Sequence, residues 1–291
     1  MKTILIPIIM SLLLISCTGT NHDNNVDKSN LTGEDYRLFQ GTPASELAMF
    51  VKDENVKGIE QIVKKDPRLI NYQEPKYGNT LLKMTIMNQQ WKPFKALIDN
   101  KADVSIHNTF SGASALIEAC SSKHYDIKYA ELLLKSGANV NDVETGKRKA
   151  GNSTRLTPLM AAVKTGSVEL VELLVKNGAN INYVNEFKQS ALSTAILTAK
   201  YNVALSLLEG GADYKAPIFY REEESKDMYL VDVLREAFVD LDTEDHKNKM
   251  KIISFLESKG VSYKNAPIPD YIKKKAQENY PNDWKNYLEK Y

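Results

Sequence analysis

Along residues 45–263 apolar side chains recur every three to four positions, the spacing of helices that hide one face. The helical runs come in pairs. Four segments open alike: GNTLLKMTI (78–86), GASALIEAC (112–120), RLTPLMAAV (155–163) and KQSALSTAI (188–196). Each is followed by a leucine-rich run that closes on a small turn: ALIDNKADV (96–104), ELLLKSGANV (131–140), ELLVKNGANI (172–181) and LSLLEGGADY (205–214). The key leucines Leu82, Leu116, Leu159 and Leu192 are spaced 34, 43 and 33 residues apart, and the turn residues Lys101, Gly137, Gly178 and Gly211 follow them by 19, 21, 19 and 19. Partial copies flank this array. Residues 45–71 read as two amphipathic helices split near Glu54–Val56, with Pro67 ending the second. Residues 228–238 and 249–263 form a degenerate last pair ending at Gly260, and 269–291 would close the end. In that tail Tyr280, Trp284, Tyr287 and Tyr291, spaced four, three and four, fall on one face of a helix and are expected to cover the last pair.

The third copy, LTPLMAAVKTGSVELVELLVKNGANIN (156–182), explains itself residue by residue. Pro158 pre-sets a first helical turn where its missing N–H costs nothing. Ala161 and Ala162 allow neighbouring helices to approach, Gly166 permits a tight turn, and Gly178 supplies a left-handed helix stop. Leu170, Leu173 and Leu174 make one apolar stripe. A period near 33 with Thr-Pro-Leu opening one helix and Gly-Ala-Asn closing another resembles the ankyrin repeat. The resemblance implies an all-α ankyrin-repeat solenoid, with helix-turn-helix repeats, β-hairpin loops and helical end caps. It divides the chain into a capping repeat at 35–70, repeats at 71–214, and a degenerate last repeat with a helical cap at 215–291. Two departures stand out: eight extra residues in the hairpin at 142–155, and two between the helices of the second copy near 121–128.

The first 16 residues follow another rule. Lys2 precedes a twelve-residue apolar run, Ile4 to Ile15, broken only by Pro7 and Ser11. That run is short of the roughly 20 residues a spanning helix needs, and it reads as a secretory signal. It ends in Leu14-Ile15-Ser16-Cys17, which resembles the lipobox of bacterial lipoproteins. The resemblance implies cleavage after Ser16 and lipidation of Cys17. Thr18 in place of aspartate implies, by analogy with enterobacterial sorting, the outer membrane with the folded part facing the periplasm. Residues 17–34 are polar, and about 17 residues of such chain make a flexible tether with an r.m.s. reach of roughly 20–25 Å. Met49 offers an alternative start for a form without lipid.

Charge and chemistry narrow the function. Lys plus Arg is 38 against 37 for Asp plus Glu, and removal of 1–16 leaves 37 against 37. This balance argues against nucleic acid as partner. The two cysteines exclude a disulfide scaffold. No Gly-x-Ser-x-Gly elbow, P-loop or His-Glu-x-x-His is present, and His22, His107, His124 and His246 are scattered, so no catalytic group, metal or cofactor is expected. Cys120 aligns with Val163 and is expected in the core; Glu222, Glu223 and Glu224 read as a solvated loop. The candidate contact residues are the hairpin aromatics Tyr77, Phe110 and Phe187, with Tyr183 on the last of these hairpins, and the basic finger Lys147, Arg148, Lys149 and Arg155 of the long hairpin. The aromatics either anchor a partner or shield their own hairpins.

Lipobox and repeats together resemble the immunity lipoproteins that neutralise type VI secretion phospholipase effectors. This implies a protein partner, a phospholipase toxin, bound by a monomer or as a one-to-one heterodimer at the periplasmic face, with the lipid as the only membrane contact. A cell-envelope scaffold joining endogenous proteins is the competing class.

Overall fold

Every central repeat starts at a hydroxyl side chain two residues before its key leucine. Thr80, Ser114, Thr157 and Ser190 are extended in backbone and accept a hydrogen bond from the amide three residues on, at Lys83, Ile117, Met160 and Ser193. The computed structural model describes residues 26–122, 124, 126–146 and 155–291 and contains, among these, fourteen α-helices. They are α1 (Ser45–Lys52), α2 (Val56–Lys65), α3 (Leu81–Met87), α4 (Trp91–Asp99), α5 (Ala115–Ala119), α6 (Lys128–Lys135) and α7 (Pro158–Thr165). Then come α8 (Val168–Lys176), α9 (Ala191–Leu197), α10 (Tyr201–Glu209), α11 (Leu230–Glu236), α12 (Glu244–Ser258), α13 (Asp270–Asn279) and α14 (Trp284–Lys290). The one regular sheet among the described residues is the antiparallel hairpin β1 (Phe219–Arg221) and β2 (Lys226–Met228), in which Tyr220 pairs with Asp227.

Capping hydroxyls satisfy amides that a helix start leaves without partners. Thr157 is buried, so its loss also strands a donor away from water. Thr157→Ala is expected to lower unfolding free energy by about 1–2 kcal/mol in urea titration. The far end of each pair needs a positive φ, met by Gly137 (90°), Gly178 (88°) and Gly211 (96°), and by Lys101 (68°) in the first copy.

First helices touch in chain order: α1 on α3, α3 on α5, α5 on α7, α7 on α9 and α9 on α11. Second helices follow, with α2 on α4, α8 on α10 and α10 on α12. The second helices α4 and α6 meet through Phe94 and Tyr129, whose ring centroids are 4.8 Å apart. Leu82, Leu116, Leu159 and Leu192 are buried in one continuous core reaching from Tyr36 to Tyr263. Ala161, Ala162 and Ala195 lie within it, where a larger side chain would hold the helices apart. Cys120 is buried at the end of α5 without a disulfide, and enclosure pushes its thiol up to about 12.

Two expectations change. The tail aromatics do not share one helix. Pro281 disfavours helical backbone at Tyr280, so α13 stops at Asn279 and α14 starts at Trp284, and the rings of Tyr280 and Tyr287 stack across the break at 4.9 Å. The tether expected over 17–34 is not free over its last part. Lys76 Nζ donates to the carbonyls of Lys28, Ser29 and Leu31 at 2.9, 2.7 and 2.9 Å, and Tyr77 Oη donates to Leu31 O at 2.9 Å. Asn79 Nδ2 holds Gly33 O, Asn88 Nδ2 holds Glu34 O, and Leu31 is buried. These bonds run to main-chain carbonyls, so the polar composition of the segment gave no sign of them.

Candidate interaction surface

The loops joining successive pairs stand along one edge, each organised by a side-chain acceptor at its tip. The Glu74 carboxylate takes amide bonds from Lys76, Tyr77 and Asn79, and Asn108 Oδ1 takes them from Ser111, Gly112 and Ala113. Asn185 Oδ1 does the same for Phe187 and Gln189. In the long hairpin Glu144 accepts from Leu156 N at 2.9 Å while its own amide donates to Leu156 O at 3.0 Å, pinning the base of the insertion. These acceptors precede the key leucine by 8, 8, 7 and, across the insertion, 15 residues. Sequence reading missed them, although their spacing was available.

Neighbouring hairpins are bonded to one another. The amides of Thr109 and Phe110 both donate to Tyr77 O, and Thr145 N donates to Gly112 O. Gln73 Nε2 reaches His107 O, and Asn108 Nδ2 reaches Asn79 Oδ1 at 3.0 Å. His107 Nε2 lies 2.9 Å from Asp142, with Thr145 Oγ1 3.2 Å from Nδ1. Gly112, at φ 74°, sits where an added Cβ would collide with the Gly146 nitrogen and come within 2.5 Å of Thr145 N. The first three hairpins therefore form a joined backbone surface and not a row of independent loops.

The sequence candidates fall unevenly on this edge. Tyr77 is half-buried, its hydroxyl donates to Leu31 O, and its ring meets Phe110 edge-on at 5.4 Å. Phe110 is 63% exposed and Phe187 53%, while Tyr183 is half-buried and Arg155 exposed. The structure thus brings Tyr77 and Phe110 together. Lys147, Arg148 and Lys149 lie outside the described residues, as does Cys17. Three exposed residues that sequence reading did not single out are Val184, three residues before Phe187 on the same hairpin, Tyr220 on β1 and Tyr229 before α11.

Charges behind the edge are mostly matched. Lys83 is buried on α3 and paired with Glu118 at 3.3 Å; burial lowers its pKa, and Glu118 offsets part of that. Glu144 is raised, chiefly by burial. The run 222–224 forms the β1–β2 turn, where Arg221 bridges Glu224 at 2.7 Å and also pairs with Glu236. Among the described residues no group of His, Cys, Asp and Glu has the arrangement of a metal site, and no helix is long and apolar enough to cross a membrane.

What this geometry offers is a row of internally braced hairpins, the first three bonded to one another, with exposed rings at Phe110 and Phe187. Residues 143–217 match the family of ankyrin repeats (3 copies), and residues 111–144 match the ankyrin repeat. No curated protein matches the chain. The chain therefore carries ankyrin repeats, which are protein-interaction modules and in general not catalytic. Outside the matched stretch the same cap and turn recur at Thr80 and Lys101, so the helix-pair geometry begins before residue 111.

Proposed function

We propose that this protein is a membrane-tethered binder whose repeat edge engages and neutralises a phospholipase toxin delivered by type VI secretion. The observation that carries the binding part is the pair of exposed rings, Phe110 and Phe187, on hairpins whose backbones are held by Asn108 and Asn185. Aromatics on a rigid frame lose little conformational entropy on docking and serve as interface anchors. The lipobox at Leu14–Cys17 supports lipid attachment at Cys17 and residence on the periplasmic face of the outer membrane. Resemblance to immunity lipoproteins supports the toxin as partner. The basic finger Lys147, Arg148, Lys149 and Arg155 would speed association with an acidic surface more than it would tighten it.

The test is a challenge assay with cells lacking the protein, exposed to neighbours that inject a phospholipase. Wild-type protein is expected to restore survival, and Phe110→Ala with Phe187→Ala to restore little of it. Full resistance of the deletion strain, together with an envelope defect in the absence of any attacker, would favour the scaffold reading.

A further inference from the structure

At the C-terminal end of the fold two basic side chains lie side by side, one of them bonded to the main-chain oxygen of the last residue, Tyr291. Lys249 on α12 has 0% exposure and Arg235 on α11 has 7%. Lys249 Nζ donates to Ala237 O at 3.0 Å and lies 3.7 Å from the centre of the Tyr291 ring and 5.9 Å from that of Tyr263. The Arg235 guanidinium stacks 4.3 Å from Tyr263 and donates to Ala266 O and Tyr291 O. The acids of the adjoining stretch are engaged elsewhere, Glu236 by Arg221 and Asp240 by Tyr280 Oη at 2.9 Å.

What encloses this pair is the α13–α14 hairpin. It shares a small core, separate from that of the repeats, with the segment after α11: Ile272, Ala276, Tyr287 and Tyr291 pack with Phe238 and Leu241, and Phe238 stacks on Tyr287 at 5.0 Å. It is fastened to the extended segment after α11 by tyrosine hydroxyls. Tyr271 donates to Glu236 O at 2.6 Å, Tyr287 to Val239 O at 2.9 Å, and Tyr291 to the carbonyls of Arg235 and Ala237 at 2.7 and 3.0 Å. A unit whose core is separate from that of the repeats, held by these bonds and by the packing of Phe238 and Leu241, can open without unfolding the repeats.

We propose that α13–α14 is an acid-released clamp, shut while Tyr291 covers an uncharged Lys249 and opened as one unit when that lysine takes up a proton. The Tyr291 ring face favours an ammonium. Full enclosure and the adjacent guanidinium act against it and prevail, bringing Lys249 down to about 7 from the ordinary 10.5. The sign follows by linkage. In the open form the lysine regains its ordinary value, so between 10.5 and 7 the open form binds more protons, and a falling pH favours opening until about 7, below which the effect levels off. From pH 8.5 to pH 6 the opening constant should rise about 30-fold. The other titratable or charged groups facing Lys249 are Arg235 on α11, which is bonded to the main-chain oxygen of Tyr291, Tyr263 after α12 and the Tyr291 hydroxyl after α14; among the described residues the buried Nε2 of His246, three residues earlier on α12, has no hydrogen-bond partner.

Hydrogen exchange read by mass spectrometry on the full chain at pH 8.5 and pH 6, corrected for intrinsic rates, tests the clamp. Amides of 270–290 are expected to exchange about 30-fold faster at pH 6, with α3 to α10 unchanged. Lys249→Met should abolish this difference, leaving 270–290 protected at both pH values. Unchanged protection in the wild-type chain, or loss of protection in α3 to α10 in step with the clamp, would overturn the proposal without recourse to a variant. An equal pH response in folded Lys249→Met would place the effect on another group and overturn the proposal as well.

Discussion

Gly112→Ala is expected to cost about 3–5 kcal/mol of unfolding free energy in urea titration, against about 1 kcal/mol for Gly137→Ala. Both glycines have positive φ, at 74° and 90°, so a methyl group strains both backbones. Their surroundings differ. Nothing lies within 4 Å of a Cβ on Gly137, whereas one on Gly112 falls on the backbone of Thr145 and Gly146. Backbone cannot rotate out of the way as a side chain can. The second hairpin has to part from the third, giving up the Thr145 N bond to Gly112 O. Equal losses for the two variants would mean that the hairpins do not abut in solution.

Phe94→Ala is expected to cost about 3–5 kcal/mol, the range for truncating an enclosed aromatic, with about 1 kcal/mol more from lost ring pairing. Phe94 is fully buried, with ring centroids 5.5 Å from Trp91 and 4.8 Å from Tyr129. Tyr129 lies on α6, so the same change loosens the second pair from the third. In a stack where each unit is stabilised by its neighbours, weakening one junction divides the cooperative unit. Unfolding should then separate into two steps, the earlier one reported by Trp91 fluorescence in a Trp284→Phe background and the later one by circular dichroism. A single coincident transition would show that the remaining hairpin bonds are enough to couple the two halves.

The repeat was legible because its signals are periodic and local. Leu82, Leu116, Leu159 and Leu192 occupy the core positions their spacing implied, Gly166 makes the turn between α7 and α8, and Gly178 takes the left-handed conformation expected of it. Cys120 is buried where its alignment with Val163 placed it. Interactions that do not repeat were harder to read. The hold of Lys76 on residues 28–31 joins a side chain to distant carbonyls, and carbonyls are the same in every sequence. Pro281 was visible, but four evenly spaced aromatics suggested an unbroken helix across it. Lys249 carried a signal that went unused. It precedes Ile252, Ile253 and Leu256 by three, four and seven residues, which places a lysine on the buried stripe of α12. Of the surface candidates, Phe110 and Phe187 could be proposed because each sits at a repeated position. Tyr220 and Tyr229 belong to a hairpin too divergent to align.

The way the chain enters the fold determines how it would bear a mechanical load. A pull on the backbone ahead of Lys28 reaches the repeats through the Lys76 ammonium and the Tyr77 hydroxyl, both on the first hairpin, and through Lys28 Nζ, which holds the carbonyls of Leu38 and Gln40. The hydrogen bonds on that path would give way one after another, like a seam unpicked from its end, and the buried leucines behind them would be the last to feel the force.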